Sequence, residues 1–417
     1  MIKNFFLFVI LWCATIGLMA QSTSSNGLKY NNFRNRFKKE MLIYSGNGMD
    51  KGTHLPMERK TVVNGKTVGY WADGIWWQGH YLAVLATEYR RLQLEGRDTE
   101  GTLQELKAAL DVYDRLDFAA ERCWGTDTFT SINGFYIRDD VSNTEGTRLN
   151  LDEVQSDYHF YCGKTDAFRH GPAQDQAWGT YLGIALIQKF VDDTTVLRHS
   201  ADIVKRLVRG MQYTDEKGKP HWQIMNPVTG KIVQKEGDIQ WLQYAHGTIG
   251  TMLTGENMHF GNSNKNRWKN IWKILQNNVL ADRDGHFTWY GVMALAAVMN
   301  DGGSRSCYDW MIKKCDKIVK RRPDLKQTII FPHLPLINVV LHGYTGESLL
   351  PKKTYTDYLS LAPENGANAQ MINGEEIRTN APWNSLSLFC PWHNYELGTF
   401  NMLDYMLLYN LVELVYP

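Results

Sequence analysis

The chain has 417 residues, with 45 Lys and Arg against 44 Asp and Glu, a formal net charge of +1, and 43% hydrophobic residues. Ample apolar mass with almost no net charge excludes intrinsic disorder, and the lack of a positive surplus excludes a basic nucleic-acid binder. Aromatic residues make up 12% of the chain, with 14 Trp, 21 Tyr and 16 Phe, an excess that calls for a structural or functional reason.

The first segment, MIKNFFLFVILWCATIGLMA, has one early positive charge at Lys3 and an apolar run from Phe5 to Leu18. It is short for a membrane span, and Ala20 before Gln21 has the small side chain that suits a cleavage site. The expectation is a secretory signal over residues 1–20 and a secreted or periplasmic protein with no membrane span after cleavage. Cys13 follows the bulky Trp12, which suits lipid attachment poorly. The mature part would carry Cys123, Cys162, Cys307, Cys315 and Cys390. The number is odd, and no C-x-x-C occurs. Buried free thiols are expected rather than a disulfide framework or a zinc site.

From there the helical period dominates and strand-like alternation is scarce. Residues 74–94 place Ile75, Tyr81, Leu82, Leu85, Tyr89 and Leu92 mostly three or four apart, and 103–119 follow with Leu106, Leu110, Tyr113 and Leu116. The pattern of a wholly apolar helix followed by an amphipathic one recurs over 175–191 with 196–211, 241–253 with 266–280, and 287–299 with 306–321. Further helices are expected over 32–44, 333–341, 354–361 and 397–415. A helix apolar all round must be buried, and an amphipathic one can cover it. Six inner and six outer helices predict one all-α domain over 27–417, an (α/α)6 toroid of about twelve helices with long rim loops. An open array of helical hairpins is the alternative. The longest connections span 125–172, 214–234 and 343–394. The second holds a hairpin signal at Asp215 to Gly218. All three are rich in aromatics, which favours functional loops.

The inner helices begin on polar and aromatic clusters: Tyr70 to Trp77 around Asp73, Gln174 to Trp178 around Asp175, Asp238 to Trp241, His286 to Tyr290, Phe331 to His333, and Trp392 to Glu396. Acids at helix starts are ordinarily caps. If the inner helices run parallel, however, the clusters meet at one rim. Carboxylates among flat aromatic faces are what a sugar ring requires. Asp175 is the first candidate general acid and Asp73 the candidate base or water-positioning group, with Asp238 and Glu396 in reserve. Trp76, Trp77, Trp178, Trp241, Trp289, His80, His246 and Arg169 are the candidate substrate-binding residues, each weighed against an ordinary place in the core or on a solvated loop. Arg138 and His170 are two further loop charges able to meet a carboxylated sugar.

The stretch QDQAWGTYLGIAL from Gln174 resembles the acid-bearing inner helix of the unsaturated glucuronyl and rhamnogalacturonyl hydrolases. YWADGIWW from Tyr70 and QYTDEKGKPHWQ from Gln212 resemble two other segments of those six-hairpin glycosidases. The resemblance implies an exported hydrolase acting on polysaccharide-derived oligosaccharides that include uronic acids. In that family an Asp protonates the unsaturated sugar and water then adds. An ordinary inverting glycosidase would instead set two carboxylates about 6.5–9.5 Å apart. Two departures bear on specificity. Gln176 stands where Asn or Thr is usual, and residues 131–136 lack an expected His-Asp pair.

No cofactor or metal is expected. There is no G-x-S-x-G, P-loop or H-E-x-x-H, and Asp282 to Gly285 lacks the acids that would complete a calcium loop. Two other functions fit the same rim: a polysaccharide lyase using Tyr136, Tyr158, His159 or Arg169, and a glycan-binding protein without catalysis.

Overall fold

A computed structural model describes residues 25–44, 52–71, 73–123, 133–156, 174–234, 240–266, 269–270, 351–364, 368–372, 375–378 and 398–416. Their architecture is mostly helical. The long helices are α1 (Ser25–Arg36), α2 (Gly74–Leu94), α3 (Glu100–Cys123), α4 (Gln174–Phe190), α5 (Thr194–Gly210), α6 (Gln240–Thr254), α7 (Lys352–Ser360) and α8 (Leu403–Val415); a single turn at Asn143–Gly146 makes nine α-helices among the described residues. The helices expected over 287–299, 306–321 and 333–341, and nearly all of 266–280, lie outside the described residues, as does the signal segment.

Burial separates two helix types, as the apolar and amphipathic patterns imply. Eighteen of the 21 residues of α2 are buried. In α5 only Val196, Ser200, Ile203, Val204, Leu207 and Val208 are, one stripe at helical spacing. Helix α2 packs on α4 and on α8, and α4 in turn on α6; outside them, α3 covers α2, α5 covers α4 and α6, and α1 and α7 cover α8.

Backbone contact between α2 and α4 depends on glycine. A Cβ added at Gly79 would stand 2.1 Å from the Gly179 carbonyl oxygen, and one at Gly183 would stand 2.4 Å from the Gly79 carbonyl oxygen and 3.0 Å from Leu82 Cβ. Gly79 thus meets Gly179, and Leu82 meets Gly183, so the two helices run parallel and begin at the same end.

The all-α expectation is corrected by ten strands among the described residues. Six form one sheet in the order β3-β2-β1-β10-β8-β9: β1 (Arg59–Val63), β2 (Lys66–Tyr70), β3 (Glu153–Gln155), β8 (Asn368–Ile372), β9 (Glu375–Arg378) and β10 (Gly398–Phe400). β1 and β2 are joined by Asn64 and Gly65, both at positive φ (51° and 76°), the two-residue turn that matches strand twist. Val62 and Val63 near the tip are 67% and 43% exposed, so the hairpin shows no apolar-in, polar-out alternation for periodicity to find. β10 occupies the start of the helix expected over 397–415. The hairpin expected near residue 215 forms, with β4 (Gln212–Thr214) paired to β5 (Pro220–Trp222). β6 (Ile224–Met225) and β7 (Ile232–Gln234) make a second small ladder.

The large sheet stands at the end where inner helices begin. β2 leads through Trp71 into α2, and β10 leads through Asn401 into α8. The free-thiol expectation is also corrected, because Cys123 at the end of α3 is disulfide-bonded. Every other cysteine lies outside the described residues.

Candidate functional site

Asp73 immediately precedes α2 but makes no side-chain cap. Its Oδ1 instead accepts from Arg138 Nη1 at 3.3 Å and from Gln176 Nε2 at 3.3 Å. Asp73 and Arg138 are each about a quarter exposed (22% and 23%), so the pair sits at a surface edge with one side in the protein. Gln176 is fully buried and belongs to the first turn of α4. The starts of two parallel inner helices are therefore joined through one carboxylate, and the 135–138 segment brings the guanidinium to it.

Asp175 lies in α4 beside Gln176 as expected for the candidate acid, and it is described as a helix position only. Trp241 is likewise described only as the second residue of α6. Trp289, Arg169, Asp238 and His170 lie outside the described residues, as do the helix starts at His286, His333 and His393.

The remaining candidates are brought together behind Asp73. Trp76, Trp77 and Trp178 are each 1% exposed. His80 packs on both Trp76 and Trp77, with ring centroids 5.2 and 5.4 Å away, and its Nδ1 lies 2.9 Å from the Trp76 carbonyl oxygen. Trp178 stacks on His246 at 4.4 Å and 11°. Trp222 of β5 stacks on His246 as well, at 6.3 Å and 24°. Tyr181 OH lies 2.9 Å from His246 Nδ1.

Burial pushes His246 down to about 3, and it pushes His80 down to about 4 against the Trp76 carbonyl, which acts the other way. Both rings are neutral across the ordinary working range. Burial also raises the Tyr181 hydroxyl well above its ordinary value. Tyr181 therefore keeps its proton, and its hydroxyl shares a hydrogen bond with the neutral imidazole at Nδ1.

Among the described residues, three polar atoms of this region are buried with no hydrogen-bond partner: Trp77 Nε1, Trp178 Nε1 and Gln176 Oε1. Two are donors and one is an acceptor. Native interiors rarely leave such groups unpaired, and of the three residues Gln176 is shown in contact with Asp73, through its Nε2. Trp71, from the same sequence cluster, differs. Its Nε1 donates to the Leu55 carbonyl at 3.2 Å, which makes it an ordinary core residue.

Sequence reasoning missed the pairing of Arg138 with Asp73, the aromatic stack that includes Trp222, and the link from Gln176 to Asp73. Each is a long-range juxtaposition, with 65 residues separating Arg138 from Asp73 and 103 separating Gln176 from it. Gln176 did carry a signal, since it is the residue that departs from the resemblance.

Among the described residues, one set has metal-ligand geometry: Asp111, Asp114 and His199. Arg206 also ion-pairs with Asp114, so a cation already occupies that neighbourhood. No family model, curated protein or solved structure matches the chain.

Proposed function

We propose that the chain is an exported glycoside hydrolase built as a six-hairpin (α/α)6 ring, acting on polysaccharide-derived oligosaccharides that contain uronic acids. The observation that carries this reading is Asp73. It stands where a helix cap is ordinary, yet it caps nothing and is held by Arg138 and Gln176 at the shared start of two parallel inner helices. Trp76 and Trp77 follow it on α2 and Trp178 follows Gln176 on α4, all three buried.

Asp175 supplies the proton in this reading. It neighbours Gln176 on α4, and aromatic burial is the usual means of keeping a carboxyl protonated near neutrality. Asp73 orients the attacking water, because Arg138 and Gln176 hold its carboxylate in a fixed direction. Arg138 holds Asp73 and is placed to meet a sugar carboxylate. The order in which α8, α2, α4 and α6 neighbour one another, with the outer helices over them, supports the ring. The disulfide at Cys123 supports a secreted or periplasmic location, since such bonds persist in oxidising compartments.

The test is incubation of the purified full chain with saturated and unsaturated uronic-acid oligosaccharides, followed by new reducing ends and by the ultraviolet absorbance of the conjugated double bond. Hydrolysis yields reducing ends without gain of absorbance and is abolished by Asp175→Asn. A gain of absorbance marks a lyase, and binding without either signal marks a glycan-binding protein. Full activity of Asp175→Asn would remove Asp175 as the acid.

A further inference from the structure

We propose that Asp117 is a positioning residue for this site: its carboxylate fixes the Asn133–Gly134 turn, and through that turn the segment that delivers Arg138 to Asp73. The inference rests on the reading of the Asp73 cluster as the functional site.

Asp117 lies on the buried side of α3 and is 0% exposed. Its Oδ2 accepts from Gly134 N at 2.7 Å and from Arg206 Nη1 at 3.2 Å, and its Oδ1 accepts from Asn133 N at 3.2 Å. One carboxylate thus takes two successive backbone N–H groups and a guanidinium from α5. The turn admits only glycine at its second position: Gly134 has φ 87°, and a Cβ there would stand 2.4 Å from the Arg206 carbonyl. Asn133 also donates to Glu121 at 3.1 Å, and its own Oδ1 accepts from Phe135 N at 2.8 Å.

The chain then runs buried through Phe135, Tyr136 and Ile137 to Arg138. Ile137 N bonds the Leu116 carbonyl, and Tyr136 meets Tyr113 edge-on at 5.6 Å. Beyond Arg138 the segment is pinned again, where Asp140 accepts from Arg115 at 2.7 and 3.2 Å. Arg138 is therefore suspended between two carboxylate anchors, and Asp117 is able to change charge near neutrality. Burial pushes its carboxyl up to about 6, against the hydrogen bonds from Gly134 and Asn133 and the charge of Arg206. The charged and titratable groups around it are Asp114 and Glu121 on α3, and on α5 Arg206 with Asp202 and His199 behind it. Protonation removes acceptor capacity at the turn, so the hold on Arg138 weakens as pH falls through about 6.

Hydrogen–deuterium exchange of the full chain, corrected for intrinsic rates, tests this without reference to any substrate. At about pH 7.5, Asp117→Asn should exchange the amides of residues 133–138 at least about tenfold faster than wild type, with α2 and α4 unchanged. Wild type should loosen the same segment at about pH 5, and the variant should not respond to pH there. If Asp117→Asn does not fold, Arg206→Met removes one donor and should loosen the same residues by a smaller factor. On a cleaved glycan, kcat should fall by about tenfold or more, and the acidic limb of the pH profile should flatten in Asp117→Asn. Unchanged exchange at 133–138, or an increase spread evenly over α3 and α5, overturns the proposal. The expected exchange pattern in a protein that cleaves no glycan leaves the positioning role standing and removes the hydrolase reading instead.

Discussion

Two buried imidazoles give the molecule a calculable acid sensitivity. His80 and His246 have folded pKa values depressed to about 4 and about 3, below the ordinary value near 6.5 of the unfolded chain. A depressed histidine contributes stability that is fully present above the unfolded value and is lost progressively as pH falls toward the folded one. Between about pH 7 and about pH 5 each should cost about 2 kcal/mol. Asp117 works the other way over the same interval. Its folded value is raised to about 6, so protonation on acidification recovers about 1 kcal/mol. In urea titrations at both pH values, His246→Gln should lose about 2 kcal/mol less than wild type, because glutamine can accept from Tyr181 yet does not titrate. Equal losses in the two proteins would mean that His246 is not neutral in its stack. Asp73 belongs to the same scale, and in the proposed hydrolase its part is chemical. Asp73→Asn keeps the size of the side chain and loses the charge facing Arg138, so it should lower kcat by about 100-fold or more. It should barely move the thermal midpoint, because a partly exposed ion pair is worth at most about 1 kcal/mol. Initial rates and a melting curve on one preparation separate the two effects.

At the level of elements, helices were legible wherever burial on one or all sides left a period in the sequence. The bounds of α2 coincide with the expected 74–94, since the wholly buried helix is apolar from end to end. Helix α5 begins two residues earlier than expected because Asp193 caps it, accepting from Thr195 N and Val196 N at 3.0 and 2.9 Å. The sheet was not legible. Its strands are three to five residues long and draw partners from opposite ends of the chain: Arg59 pairs with Tyr70 on one side and with Phe400 on the other. Two Asn-Gly dipeptides, Asn64-Gly65 between β1 and β2 and Asn373-Gly374 between β8 and β9, are its local hairpin signals. Of the helix starts expected to meet at a candidate site, the described residues join two, those of α2 and α4, at Asp73 and Gln176. The wiring of the site was not legible, because Arg138 arrives on an irregular segment whose course is set by Asp117 and Asp140 rather than by any period. The crossing of α2 and α4 yields a sharp prediction. Gly79→Ala inserts a methyl where the Gly179 carbonyl stands, and the backbone of a buried helix has no flexible end to yield. The cost should be about 3 kcal/mol, read as a lower urea midpoint. An equivalent change at Gly101, on the exposed start of α3 with nothing near its Cβ position, should stabilise by a few tenths to about 1 kcal/mol.

For the whole molecule, Asn410 joins Tyr30 and Arg91 from more than 300 positions away. Helix α1 and helix α8 both close on α2 through one buried polar network. Arg34 bonds Glu88 at 3.0 and 3.3 Å and Glu105 at 2.7 Å; Lys38 adds a second cation to Glu105 at 2.6 Å. Tyr30 donates to Glu88, Thr102 donates to Glu88 at 2.9 Å, and Asn410 of α8 donates to Tyr30 OH at 3.2 Å and accepts from Arg91 at 3.0 Å. Burial acts to raise the Glu88 carboxyl, but Arg34 and these hydrogen bonds overcome it and hold Glu88 down at about 2. The network is consequently ionised at every working pH, and its stability is lost only as pH falls from the ordinary carboxylate value toward about 2. Removing one partner of such a network leaves an uncompensated buried charge. Arg34→Leu should therefore cost about 3–5 kcal/mol near neutrality. In that variant Glu88 loses its main cation and burial governs, so protonation relieves the strain and the deficit narrows toward about pH 4. Arg34→Leu with Glu88→Leu should recover much of the loss, since an apolar pair of similar volume is often as stable as a buried ion pair. A double-mutant cycle in urea at two pH values reads both expectations. If the single and double variants lose the same amount at both, the closure of α1 and α8 on α2 rests on packing by Tyr30, Phe33, Tyr405 and Tyr409 rather than on charge.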